Sequence, residues 1–323
     1  MKNKNTTTER RERAFQEALL AELGRQLATP SADWPNKHCW TETKLKNLIK
    51  ALRTELEKHG LSSSLTCSAI IDWLGRLGLA KDIRAEGETF YLMDLGGDAE
   101  ARVDPYELLM ATKPSGVICY FSAIAFHSLT THPVTHHHVA QLREGAPSAG
   151  KRTEPPGNER IVGPSVPWKP QKLGTLLFRY QETPFYFTNR SDRLVPGVQL
   201  RGHGPRTQLR ITTLEQTLLD TLFKPFHSGG PEVAFESWRE AVGSGRVDEE
   251  RMADYLTRMK YPATTRRVGA MFTLLGHKPS LILQKMLEST RILIDRQAPY
   301  ARISLLPGVN YTHLDEEWLV SVP

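Results

Sequence analysis

Residues 41–93 constrain the fold most, because two helical patterns are followed at once by a strand-like hairpin. Residues 41–58 place Leu45, Leu48, Ile49, Leu52 and Leu56 on one helical face, and Gly60 stops the run. The serines at 62–64 can cap a second helix, running from Ser64 to Gly78, with Ile70, Ile71, Leu74 and Leu77 inward. Residues 81–84 and 89–93 then alternate β-formers with polar residues around a turn at 86–88. Upstream, residues 9–28 carry an apolar stripe of Phe15, Leu19, Leu20, Leu23 and Leu27, and a breaker with Pro30 and Pro35 follows.

Helix, helix, hairpin is the order of a winged helix-turn-helix, and a helical bundle with a polar surface is the competing reading. In the winged module the second helix meets the major groove of a duplex and the hairpin grips the backbone. The candidate DNA-binding residues are then Ser63, Ser64, Thr66, Ser68 and Arg76 on or beside that helix. Asp72 on the same helix could also reach a base edge. Lys81 and Arg84 sit on the hairpin; Lys44, Lys46, Lys50 and Arg53 sit on the preceding helix.

Charge is distributed in a way that fits this reading. The net charge of +6 is small. Residues 1–90 carry 15 basic and 12 acidic side chains, and residues 143–210 carry 12 and 5, so the positive excess sits in these two parts. Basic surfaces attract phosphate through counterion release, although Lys and Arg also simply solvate a surface.

Beyond residue 95 the pattern is mixed. Residues 104–129 read as two helices, the first opened by Pro105. Residues 143–170, rich in Pro, Gly, Ser and charge, read as a long mobile loop. Residues 173–188, 194–200 and 208–211 are strand-like, and aromatic and basic side chains mix across this middle region at Trp168, Lys169, Lys172, Phe178, Arg179, Tyr180, Phe185, Tyr186, Arg190 and Arg193. That mixing suits a base-stacking sheet, but suits better an ordinary strand with aromatics inside and Arg outside. From Thr213 the chain is mostly helical.

Several chemistries find no support. There is no phosphate-binding glycine loop, nucleophile elbow or zinc-protease motif. Cys39, Cys67 and Cys119 are too scattered for a disulfide framework, which fits a reducing cytoplasm. Neighbours in the His136–His138 run point to opposite faces of a strand, so a surface or nucleic-acid-facing strand is expected there and a metal site is not. Glu215 and Asp220, five apart, do not share a helical face cleanly. The longest apolar stretch, 116–126, is far short of the ~20 residues that span a bilayer. The expectation is a protein that is not an enzyme, has no catalytic residues, needs no cofactor or metal, and meets no membrane.

Three segments, in order, resemble a known family. DPYELL at 104–109, followed by KPSGVICYFSAIAFHSLTTHP, resembles the "SPYELAL…KPG…YLSH.TA..LHGLT" stretch of the AbiEi antitoxins. Residues 211–241 resemble that family's "T..ERTLID…P.Y.GG…" segment through Thr213, Glu215, Thr217, Leu218, Asp220, Pro225, Gly229 and Gly230. Residues 259–276 (MKYPATTRRVGAMFTLLG) are similar to the helix that follows. The resemblance spans roughly residues 45–276. Phe126-His127-Ser128-Leu129 stands where the family has Leu-His-Gly, the basic loop is long, and residues from 277 find no counterpart.

The resemblance implies an α+β chain of three parts. Residues 1–95 would be a winged-helix DNA-binding domain with a helical extension. Residues 96–276 would be a mixed α/β antitoxin domain with a helical second half, and 277–323 a C-terminal extension. It further implies a transcriptional repressor that autoregulates the operon of a type IV toxin–antitoxin, phage-defence system. Its partners would be double-stranded operator DNA, bound cooperatively by a monomer or weak dimer, and a nucleotidyltransferase-like toxin opposed without a stable complex. The alternative is a protein-binding module that holds a toxin or other defence protein directly.

Overall fold

The computed structural model describes residues 2–28, 38–85, 87–94, 103–144, 172–203, 207–296 and 302–323, and the chain is a mixed α+β protein. Its backbone falls into two compact units, 1–114 with 202–209, and 115–201 with 210–323.

The first unit begins with α1 (Lys2–Ala28), β1 (Cys39–Thr41), α2 (Glu42–Lys58) and α3 (Cys67–Arg76). The hairpin strands β2 (Ala80–Ala85) and β3 (Glu88–Met93) and the helix α4 (Pro105–Thr112) follow. The strands form one antiparallel sheet in the order β1-β3-β2, with Trp40 opposite Tyr91 and Lys81 opposite Leu92. Phe15, Leu19 and Leu23 of α1, Leu45, Ile49 and Leu52 of α2, and Ile70, Ile71 and Leu74 of α3 pack into one core. Apart from the adjacent Ile70 and Ile71, each set recurs three or four residues apart, the spacing that lines one face of a helix.

Two local expectations shift. The helix expected from Ser64 starts at Cys67, because Thr66 caps it by accepting a hydrogen bond from the Ala69 amide at 3.2 Å. β1 has no periodic signature, being three residues long, yet it closes the sheet against β3. The buried Glu107 of α4 accepts from the His38 and Cys39 amides at 2.5 and 3.3 Å and so ties α4 to β1. α4 accordingly falls within the first unit.

The second unit contains β4 (Val117–Ile118), α5 (Tyr120–Phe126), β5 (His137–Arg143), β6 (Thr175–Tyr180), β7 (Thr183–Ser191), β8 (Val198–His203) and β9 (Thr207–Thr212). The tip of the β8–β9 pair, 202–209, groups with the first unit. These strands make a six-stranded sheet in the order β6-β7-β5-β4-β9-β8, with β5 parallel to β7 and β4 parallel to β9. The helices α6 (Leu214–Phe223), α7 (Pro231–Gly243), α8 (Glu249–Met259), α9 (Pro262–Leu274) and α10 (Leu281–Arg296) follow, then β10 (Ile303–Ser304), β11 (His313–Asp315) and β12 (Val320–Val322). Trp238, Phe272, Leu218, Leu222 and Leu256 are buried in the shared core of these helices.

The last strands form a small sheet in the order β10-β12-β11. Two arginines of α9 hold it: Arg266 donates to the Trp318 carbonyl at 2.8 Å and Arg267 to the Ser304 carbonyl at 2.9 Å. Residues 302–323 therefore pack within the second unit. Most of the expected basic loop, 145–170, lies outside the described residues. Among the described residues no helix is long and apolar enough to cross a membrane.

Candidate nucleic-acid interface

The surface of the first unit that presents α3 is open and mostly polar, but Leu77, expected inward, caps the helix and is 48% exposed. Beyond the Thr66 cap, Ser68, Asp72 and Arg76 are exposed, while Ile70, Ile71 and Leu74 face the core. This division follows from the 3.6-residue period: burying positions 70, 71 and 74 turns 68, 72 and 76 outward. Ser64 is also exposed, in the extended approach to the helix. Asp72 is the one acidic residue of α3. The first-turn amides of such a helix carry a partial positive charge that favours phosphate.

The hairpin follows directly. Lys81 and Arg84 of β2 are exposed, as are Asp82 and Glu88. Ala80 and Ala85 are buried and anchor the strand. On α2, Lys44 and Lys50 are exposed. Arg76 ends α3 and Lys81 lies next to the first residue of β2, so the short turn between helix and hairpin carries cations at both ends.

Three candidates are turned to other work. Ser63 donates to Glu12 at 2.5 Å and accepts from the Leu65 amide at 3.0 Å, so its hydroxyl braces the turn before α3. Arg53, half-buried, donates to the carbonyls of Leu65 and Ser63 at 2.8 and 2.9 Å and clamps the same turn. Lys46 donates to Glu42 at 2.5 Å, one helical turn away, and that hydrogen bond raises its pKa. The common reason is proximity: a polar side chain beside a tight turn or an opposite charge meets a local partner first.

The second unit corrects the expectation for the histidine run. His136, His137 and His138 are buried, because β5 is an inner strand flanked by β4 and β7. The rings serve as flat packing surfaces. His137 stacks on Phe185 at 4.8 Å between centroids, and His138 on Tyr186 at 5.5 Å and His227 at 5.3 Å. Burial pushes the pKa of His136 down and that of His138 well down, and burial with the nearby charges of Lys224 and Arg190 pushes His227 to about 3. No group of three or more metal-ligating side chains is assembled among the described residues.

The two carboxylates of α6 also go into the structure. Asp220 forms a bidentate pair with Arg190 of β7, both bonds 2.6 Å, with both side chains almost fully buried. Gln216 donates to the same carboxylate at 2.9 Å, and the Arg190 guanidinium lies over the Tyr120 ring at 4.7 Å. Glu215 accepts from the Asp248 amide at 3.1 Å. Sequence reasoning missed the Arg190–Asp220 pair because thirty residues separate its members and neither carries a local motif.

No protein-family model matches this chain, and no curated protein matches it.

Proposed function

We propose that this chain is a sequence-specific DNA-binding repressor that uses α3 and the β2–β3 hairpin on duplex DNA. The observation that carries the reading is an exposed polar helix face followed at once by a hairpin that presents Lys81 and Arg84 beside Asp82 and Glu88. The element order α1-β1-α2-α3-β2-β3 and the strand order β1-β3-β2 support reading the first unit as a winged helix. Thr66, Ser68 and Asp72 would reach base edges in the major groove, with Ser64 and Arg76 at the flanking backbone. Lys81 and Arg84 would grip phosphates or the minor groove, and Lys44 and Lys50 would add to the positive field.

The resemblance at 104–133, 211–241 and 259–276 extends this reading to a cytoplasmic antitoxin of a type IV toxin–antitoxin system that represses its own operon. The reaction chemistry of such a system would belong to a separate toxin, and this chain would act without cofactor. Footprinting on the DNA upstream of the chain's own gene tests the proposal. A protected inverted repeat, lost on scrambling its sequence, supports it; equal affinity for specific and scrambled duplex overturns sequence-specific repression.

Direct capture of a protein is the second reading. It is favoured by Leu274, Leu281 and Ile282, which are 42%, 65% and 49% exposed at the α9–α10 corner. A stoichiometric complex with the product of the neighbouring gene, lost in Leu281→Ser/Ile282→Ser, would favour it over repression alone.

A further inference from the structure

A basic concavity of about 620 Å3 in the second unit is lined by no residue of the helix or hairpin assigned to DNA. Its position follows from a close approach. The segment 194–198 lies hard against α8: a Cβ on Gly197 would fall 2.4 Å from the Tyr255 ring. Only glycine allows that approach. The segment is pinned further by Gln216, which donates to the Leu194 carbonyl at 3.2 Å and accepts from the Gly197 amide at 3.3 Å.

This packing brings the C-terminal end of α8 beside the 3-10 turn Asp192–Leu194 and the inner end of β9. Arg193, Arg210, Arg258 and Lys260 line the resulting hollow from three separate elements and the residue that caps α8. One lining carboxylate, Asp192, opposes four cations, and its Oδ1 already accepts the Arg193 amide at 2.6 Å. Arg258 shares its charge with Asp254 at 3.4 Å, and Arg210 donates to the Ser115 carbonyl. Val195, Pro196 and Val198 provide an apolar wall.

Lys260 caps α8 in the left-handed conformation, φ 51° and ψ 45°, where glycine is the usual occupant. A lysine there sets a costly backbone against a cation delivered to the concavity.

We propose that this concavity binds a small ligand of nucleotide size bearing more than one phosphate. Clustered arginines suit several phosphate oxygens through paired hydrogen bonds, and the lysine adds a point charge. The apolar wall suits the uncharged remainder of the ligand, and the volume lies within the ~300–1,000 Å3 range of small-molecule sites. The inference stands whether or not the chain binds DNA.

Calorimetric titration of the full chain with ATP, inorganic triphosphate and adenosine tests it. Saturable binding of ATP and, more weakly, of triphosphate is expected, with none for adenosine. The exposed-site variant Arg193→Gln/Arg258→Gln/Lys260→Gln should weaken ATP binding at least ~10-fold with an unchanged melting temperature. Lys260→Gly should weaken binding while holding or raising the melting temperature, since it relieves the left-handed backbone. Absence of saturable binding, or full affinity in the triple variant, overturns the proposal. So does a short duplex that displaces ATP and loses affinity with the same three substitutions, because the phosphates would then be those of nucleic acid.

Discussion

The two units put polar residues to opposite uses. In the first, Ser68, Asp72, Arg76, Lys81 and Arg84 stand in solvent around α3 and the hairpin. In the second, Arg190, Asp220, Gln216 and His136–His138 are enclosed and spend their polarity on one another, on backbone or on ring stacking. Exposed ion pairs and hydroxyls contribute little to stability, so a polar helix face left open is free to recognise a partner. Buried polar groups must be paired, and the penalty for breaking one pair is large. Substitutions in the second unit should therefore register in stability, and those on the first unit's open face in binding.

The sharpest contrast is expected at Asp220. Asp220→Asn leaves the Arg190 guanidinium charged and enclosed, with half of its bidentate partner gone. Removing one member of such a pair costs about 3–5 kcal/mol, to be read as a lowered midpoint in urea denaturation. If the midpoint stays at the wild-type value, the pair does not hold the second unit together.

Acid should act on the same unit. His136, His138 and His227 are held below the ordinary histidine range, His227 at about 3, chiefly by burial. In the unfolded chain they take up protons near pH 6.5, so below that value the unfolded state binds more protons than the folded one. Their contribution is complete above about pH 6.5 and is lost as the pH falls below it. For His227, whose folded value is about 3, the slope between these limits is about 1.4 kcal/mol per pH unit. Melting followed by near-ultraviolet circular dichroism between pH 7 and 4 reads this loss; a flat profile would mean that the rings are hydrated.

A packing substitution should give a smaller effect. A Cβ on Gly269 would lie 2.4 Å from the Trp318 ring, which neither α9 nor the terminal sheet can give up cheaply. Gly269→Ala is expected to cost about 1–3 kcal/mol, visible as a drop in melting temperature. An unaffected melting temperature would detach the terminal sheet from α9. Smallest of all is Thr66→Ala, which removes the cap of α3 at about 1 kcal/mol. Its effect on DNA affinity should exceed its effect on stability, since the same turn faces the duplex; the reverse ranking would reduce Thr66 to a cap alone.

The first unit was readable in the sequence because its helices are amphipathic with one clear period. Leu45, Leu48, Ile49, Leu52, Leu56, Ile70, Ile71 and Leu74 lie in the core as the spacing indicates, whereas Leu77, expected with them, is exposed. The hairpin followed from alternation at 80–93. β1 escaped because three residues carry no period. The strand β5 was misjudged as surface for a physical reason: histidine is polar by composition, but its ring packs like an aromatic one between Phe185, Tyr186 and His227. At the candidate interface, local polarity located Ser64, Thr66, Ser68, Arg76, Lys81 and Arg84 on the surface. It could not show that the folded chain commits Ser63, Arg53 and Lys46 to Glu12, Leu65 and Glu42.

The salt dependence of DNA affinity tests the central claim most directly. Fluorescence anisotropy should compare the wild-type chain, Lys81→Ala/Arg84→Ala, and Lys285→Ala as an exposed-charge control on α10. Phosphate contact by the hairpin predicts that the double variant binds more weakly and that its log–log slope is shallower by about 1.8, at ~0.9 per lost phosphate contact. The control should keep the wild-type slope. Unchanged affinity and slope in the double variant would contradict DNA binding through this hairpin.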